Sequence, residues 1–344
     1  MRALATYLLL FIGLSSYGQD IHFVQFTETP QLVNPGLTGV FEGNVRVILN
    51  YRDQWATVDA PYRTFGLNYD HRITPKKLKN KASLAVGVAA YRDDAGDLGL
   101  HTTSGVVSIA STLNLTREQF LTAGIQAGVI YRGVDMANAI WGSQYDGDGY
   151  DPTVSSGEVG QFNSFVSPDV SVGFAWNMNQ PLGFGPFRDF QLRVGTGLFH
   201  LNRPKQKFNL SEDHNLNLRW TLHADAMLGI GSGRSYIVPM FLFQLQGPST
   251  EAVFGGLYRF LMKDAARVTG FVKGGAISLG ATYRWGDAIT PILAVEYLFF
   301  RLGVSYDVNV SKLNRATGFQ GGLEVSLKCT ISEGFYYSGR QSKK

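Results

Sequence analysis

LNLRWTLHADAMLGI, residues 216–230, decides how this chain is read. Leu216, Leu218, Trp220, Leu222, Ala224, Ala226, Leu228 and Ile230 take every second position, and Asn217, Arg219, Thr221, His223 and Asp225 stand between them. Side chains of a strand point to opposite faces in turn, so one face is wholly apolar and the other carries the charge. A soluble sheet would turn the apolar face to a core and the polar face to water. A sheet closed within a bilayer inverts this, with apolar residues on lipid and polar ones around an interior.

The alternation recurs. NVRVILNYR (44–52) and YRTFGLNYDHR (62–72) show it near the start. Near the end, Phe300, Leu302, Val304, Tyr306, Val308 and Val310 oppose Arg301, Ser305, Asp307 and Asn309. Phe319, Leu323, Val325, Leu327 and Ile331 then oppose Gln320, Glu324, Ser326 and Lys328. Strands are expected near 44–52, 62–72, 82–92, 100–114, 119–132, 165–178, 190–200, 216–230, 234–245, 251–261, 275–285, 289–297, 299–310 and 318–331. That is about fourteen, an even number as single-chain bacterial barrels use. A β-sandwich also alternates, but its strands average roughly five or six residues, whereas a tilted bilayer-crossing strand needs roughly nine to eleven. Several segments here reach that length. Tyr51, Tyr69, Tyr131 and Trp176 fall near strand ends, where interfacial aromatic girdles lie. The reading is an all-β transmembrane antiparallel barrel with long extracellular loops and a short periplasmic N-terminal segment.

Composition agrees. Of 344 residues only 17% are charged, below the roughly one quarter of soluble domains. Forty glycines and 13% aromatics suit many extended segments with tight turns. A net charge of +4, spread along the chain, excludes a nucleic-acid groove. Arg2 precedes the apolar run ALATYLLLFIGL (3–14), and Ser16 and Gly18 are the small residues of a signal-peptidase site, so the cut is placed after Gly18. No cysteine lies near it, against a lipid anchor, and no later run reaches the length of a membrane helix. Cys329, on the apolar face of the last strand, is the sole cysteine, so an internal disulfide is excluded.

The expected organisation is a signal peptide (1–18), a segment 19–43, a barrel (44–331) and a basic tail (332–344). Segment 19–43 does not alternate and carries the turn Asn34-Pro35-Gly36. It is long enough to enter the lumen as a partial plug, to pack beneath the barrel mouth, or to stay a mobile leader. Starting the first strand at the periplasm puts the longest connection, 133–164, outside, and 73–81 and 262–274 on the periplasmic side.

Catalytic, phosphate-binding and paired metal motifs are missing, and no cofactor is expected. Arg46, Arg52, Arg219, His223, Asp225, Glu324 and Lys328 are candidates for a polar lumen network. His223 is read as hydrogen-bonded beside Asp225 and Arg219 rather than as a base. Arg52, followed by Asp53, Gln54 and Trp55, is read as neutralised by its neighbour. In WGSQYDGDGYDP (141–152), Asp146, Asp148 and Asp151 are a weak calcium candidate lacking EF-hand spacing, against a solvated turn. Trp141, Tyr145 and Tyr150, with Arg203 and Lys205 in the 201–215 connection, are candidate partner contacts.

QDIHFVQFTETPQLVNPGLTGVFEGNVRVILNYRDQW (19–55), with PYRTFGLNYD (61–70), FHLNRP (199–204), GLYR (256–259) and GVSYDVNVSKL (303–313), resembles the PorP/SprF family of Bacteroidetes outer-membrane proteins. The opening run has Thr27-Glu28 where an aromatic-asparagine pair is more usual, and the chain lacks a cysteine-proline ending. The resemblance implies a Gram-negative outer-membrane component of type IX secretion or gliding motility. It also implies partners: a large adhesin-like secreted protein with a C-terminal sorting domain, other secretion components and outer-membrane lipid. The rival readings are a channel for small or hydrophobic solutes and, last, a barrel enzyme. An open lumen would mark the channel and a filled one the anchor.

Overall fold

The structure is a computed structural model describing residues 20–54, 62–73, 81–96, 99–134, 140–145, 147–157, 164–181, 187–207, 214–231, 233–262, 274–311 and 320–331. Fourteen antiparallel strands close into a barrel. The first seven are β1 (Val45–Gln54), β2 (Tyr62–Ile73), β3 (Ala82–Ala95), β4 (Leu100–Asn114), β5 (Gln119–Gly133), β6 (Phe165–Pro181) and β7 (Phe187–Phe199). A small hairpin follows, β8 (Lys205–Gln206) and β9 (His214–Asn215). The barrel resumes with β10 (Arg219–Ile230), β11 (Ser235–Gln246), β12 (Ser249–Leu261), β13 (Ala276–Arg284), β14 (Ala288–Tyr297), β15 (Phe300–Asn309) and β16 (Gln320–Ile331). Each barrel strand pairs with the next, and β1 closes on β16 in register Val45↔Ile331 to Gln54↔Gly322. The expected strands are thus all present. Closure leaves no edge for lipid to strand, the condition for a sheet to cross a membrane.

The faces sort as the alternation requires. Along β5, Ile125 is 61% exposed on the outer surface, while Thr122 and Gln126 are buried inside. Along β15, Phe300, Leu302, Val304 and Tyr306 face out, and Ser305, Asp307 and Asn309 face in. Among the described residues no helix is long and apolar enough to cross a membrane.

Two connections differ in detail from the reading. Leu216 and Leu218 precede β10 rather than join it, because Leu216 N–H bonds to Pro204 O in the returning connection. In the apolar stretch before Tyr297, the turn falls at Trp285–Asp287, with Asp287 N–H on Arg284 O and Gly286 at φ 74°. The strand ends Val45 and Ile331 define a termini end of the barrel. The strand ends joined by the β3–β4, β5–β6, β7–β10, β11–β12 and β13–β14 connections all lie at the opposite, far end. The cleavage position after Gly18, Trp55, Asp146 and the tail 332–344 lie outside the described residues.

Candidate functional site: a filled lumen

Residues 20–41 run inside the barrel. Two proline-led turns shape them: a one-turn helix, α1 (Pro30–Val33), and a 3-10 turn, Pro35–Leu37. Proline suits the first helical position, where its missing N–H costs nothing. Between the turns, the Asn34 side chain accepts from Gly36 N–H at 2.7 Å. The segment buries Phe23, Val24, Phe26, Val33, Leu37 and Val40. Phe26 and Val33 pack on Met240, Leu242, Val253, Leu257 and Ile292, so the lumen wall is apolar where the segment offers apolar side chains. Phe23 packs on Ala89 and Tyr91, and Leu37 and Val40 on Ala175.

Polar contacts trace the path from the far end inward. Asp20 meets His200 Nε2 at 2.5 Å and Arg219 Nε at 3.5 Å, and His200 Nδ1 meets Asp169 at 2.8 Å. Arg52 donates to His22 O at 2.6 Å. Glu324 accepts from the backbone N–H groups of Val24 and Gln25 at 2.7 and 2.8 Å. Deeper, Glu28 pairs with Lys328 at 3.0 Å and with Arg301. The chain then turns back: Arg219 donates to Leu32 O at 2.9 Å, Thr221 Oγ1 to Val33 O at 2.6 Å, and Asn34 Nδ2 to Phe174 O at 2.9 Å. At the termini end Arg46 binds Asp70 at 2.5 Å, Asp70 accepts from Gly39 N–H at 2.8 Å, and Arg72 donates to Gly39 O. The segment therefore threads the lumen from the far mouth to the base of β1.

Charge inside a closed barrel is tolerated only when paired. Burial pushes the Glu28 carboxyl up, but Arg301 and Lys328 overcome it and hold its pKa down at about 2. Burial likewise opposes the Asp20 charge, and His200 and Arg219 pull its pKa well below the usual range. Burial would strip His200 of its proton, yet Asp20 and Asp169 raise its pKa to about 9. His22, buried beside Arg52 and Arg284, is pushed well below its ordinary value.

The wall also yields space. A Cβ on Gly173 would stand 1.9 Å from Asn34 Oδ1, and one on Gly124 2.3 Å from Pro35 O. Glycine within a strand here marks where another backbone approaches closely.

All seven lumen candidates line the interior, but as separate contacts bridged by the segment. Arg46 binds Asp70, Asp225 binds Arg193, Lys328 binds Glu28, and Glu324 caps two amides. His223 does not join Arg219 and Asp225; its Nε2 is 3.0 Å from Asn34 Nδ2. Arg52 is not neutralised by Asp53, since neighbours in a strand face opposite ways. Its partner is Asp307 at 3.2 Å, while Asp53 accepts from Tyr51 at 3.0 Å. Sequence reasoning missed Asp20, Glu28, Asn34, Asp169 and His200. One signal was available: Lys328 faces inward opposite Ile48 and Arg301, with no acid in register, so an acid had to come from elsewhere.

Trp141, Tyr145 and Tyr150 sit in the β5–β6 connection at the far end, where Tyr145 and Tyr150 bridge and both are exposed. Arg203 and Lys205 are exposed in the β7–β10 connection at the same end. Asp148 is exposed, and Asp151 accepts from Thr153 N–H and Oγ1 at 2.8 and 2.7 Å. Among the described residues no group of acids, histidines and cysteines is arranged to hold a metal ion.

Among solved structures of similar fold, three share little sequence with this chain. BamA from Haemophilus ducreyi, lacking POTRA domains 1–3, is 9% identical over 84% of this chain and 70% of its own, at TM-score 0.43. CymD, a monoaromatic hydrocarbon channel, is 10% identical over 88% and 93%, at 0.45. The β domain of the Bordetella autotransporter BrkA is 7% identical over 84% and 99%, at 0.40. No curated protein matches. A family model for the type IX secretion system membrane protein PorP/SprF matches residues 15–328. With its lipid-facing closed barrel, the chain is an outer-membrane protein, and it belongs to the PorP/SprF family of type IX secretion system membrane proteins.

Proposed function

We propose that this protein is a closed outer-membrane anchor that helps export or retain a large adhesin-like partner through the partner's C-terminal sorting domain. The termini end faces the periplasm and the far end the exterior, as short turns and long loops distribute in such barrels. Residues 1–18 leave as a signal peptide, and the connections 133–164 and 201–215 meet the partner. The observation carrying this reading is the lumen filled by residues 20–41, since a passive solute channel needs an open path. The ionisable groups inside hold that segment rather than converge on a substrate, which gives an enzyme no footing. Deleting the gene is expected to abolish surface display of one cognate protein and spare other exported proteins; an unchanged surface proteome overturns the proposal. Planar-bilayer recording tests the channel alternative, which steady solute-dependent conductance by the intact protein would favour.

A further inference from the structure

β6 runs past the end of β7. The two pair only from Val172↔Leu198 onward, and the chain leaves β7 at Phe199. Beyond that point the β7-side edge of β6 is covered by single residues: Leu201 N–H bonds to Val170 O at 2.9 Å, Asn202 Oδ1 accepts from Val170 N–H at 3.2 Å, and Asn202 Nδ2 donates to Pro168 O at 2.7 Å. At Val166, two residues further along the same edge, no described residue bonds to the backbone on that side. There a cleft of about 550 Å³ opens at the far end, between the start of β6 and the 202–207 segment. Its size is that of a ligand cleft.

The lining is one-sided in charge. Arg203, Lys205 and Lys207 contribute three cations, and no carboxylate is among the described residues that line it. The cleft is also held open by its frame. His200 (φ 59°) and Arg203 (φ 44°) both adopt left-handed backbone, a conformation that persists in non-glycine residues only where surroundings impose it. Those surroundings are Asp169 and Asp20 on His200, Asn202 on β6, and Ser167 Oγ on Lys205 O at 2.8 Å.

We propose that this cleft is the docking site for an extended, acidic peptide segment of the exported partner. The segment lies along the free edge of β6 at Val166, where backbone groups add it to the sheet, and its carboxylates meet Arg203 and Lys207. The proposal rests on the anchoring reading above and narrows it to one site and one chemistry.

The test uses the full-length protein in nanodiscs and a short labelled peptide with aspartate at alternate positions, against its asparagine counterpart. Saturable binding of the aspartate peptide only, weakened by salt and lowered about tenfold in the double variant Arg203→Glu, Lys207→Glu, is expected. Unchanged heat-dependent gel mobility confirms that the variant barrel is folded. Equal binding of both peptides, or a variant that binds as well as the parent, overturns the proposal. So does a variant that loses only lipid A phosphate binding to added lipopolysaccharide vesicles. In cells, a double variant that displays its cargo normally, while the deletion strain does not, sinks the cleft and spares the anchor. Normal display in the deletion strain sinks the anchor itself.

Discussion

Replacing Glu28 by glutamine tests whether the threaded segment seals the barrel. Glu28 is 2% exposed and is the acid that meets both Lys328 and Arg301. Arg301 retains a second acid, Glu296, at 3.6 Å; among the described residues Lys328 keeps no other acid at ion-pair distance. Glutamine preserves shape and one acceptor but takes the charged partner from Lys328, whose side chain is half-buried at 27% exposure, which costs about 1–3 kcal/mol. At about 1.4 kcal/mol per decade, the population with the segment withdrawn rises by about five- to a hundredfold. In planar bilayers the parent protein should hold a closed baseline, and the Glu28→Gln protein should show openings about five to a hundred times as often. Adding Lys328→Met removes the stranded cation and should recover part of the closure. If Glu28→Gln is as silent as the parent at equal insertion, the segment is not what closes the lumen, and the electrostatic account of its seating is wrong.

Closure should depend on pH in one direction. His200, raised from 6.5 to about 9, stabilises the folded state fully below 6.5 and loses that contribution progressively as pH rises from there through about 9, so openings should increase across that window and His200→Gln should flatten the increase. Glu28, lowered from 4.5 to about 2, contributes fully above 4.5 and loses that contribution progressively as pH falls from there through about 2, so its salt bridge should keep recordings above pH 4.5 closed. Gly173→Ala forces a methyl group onto Asn34 and Gly36 and should cost about 1–3 kcal/mol with more frequent openings; Gly105→Ala, with nothing within 4 Å, should record as the parent does. Ile125→Arg places a charge on the lipid face in the middle of β5 and should cost about 2–4 kcal/mol, read as a lower denaturant midpoint of the barrel in vesicles.

The barrel wall was legible because its physics is local. A period of two, sustained over strands such as 216–230 and 299–310, names both faces without any knowledge of partners across the sheet. Strand ends slipped: β3, β6 and β7 each run three residues past the expected limit at one end, to Ala95, to Pro181 and from Phe187, and Leu216 is lost to a connection that borrows its backbone. The interior was less legible for the opposite reason. Lumen faces announce that charges such as Arg219 and Lys328 sit inside, but their partners Asp20 and Glu28 lie hundreds of residues away in a stretch without periodicity. Adjacent letters also misled: Arg52 and Asp53 look like a pair on paper and stand on opposite faces of one strand. His200 and Asp169 read as members of two separate strands until β6 outruns β7 and brings them together.

Residues 20–41 lead through residue 44 directly into β1, and β1 is one side of the seam that closes the cylinder against β16. The cork is thus hinged on the very seam of the wall it closes: its withdrawal leaves every ladder of the cylinder intact, and its return needs no strand to part.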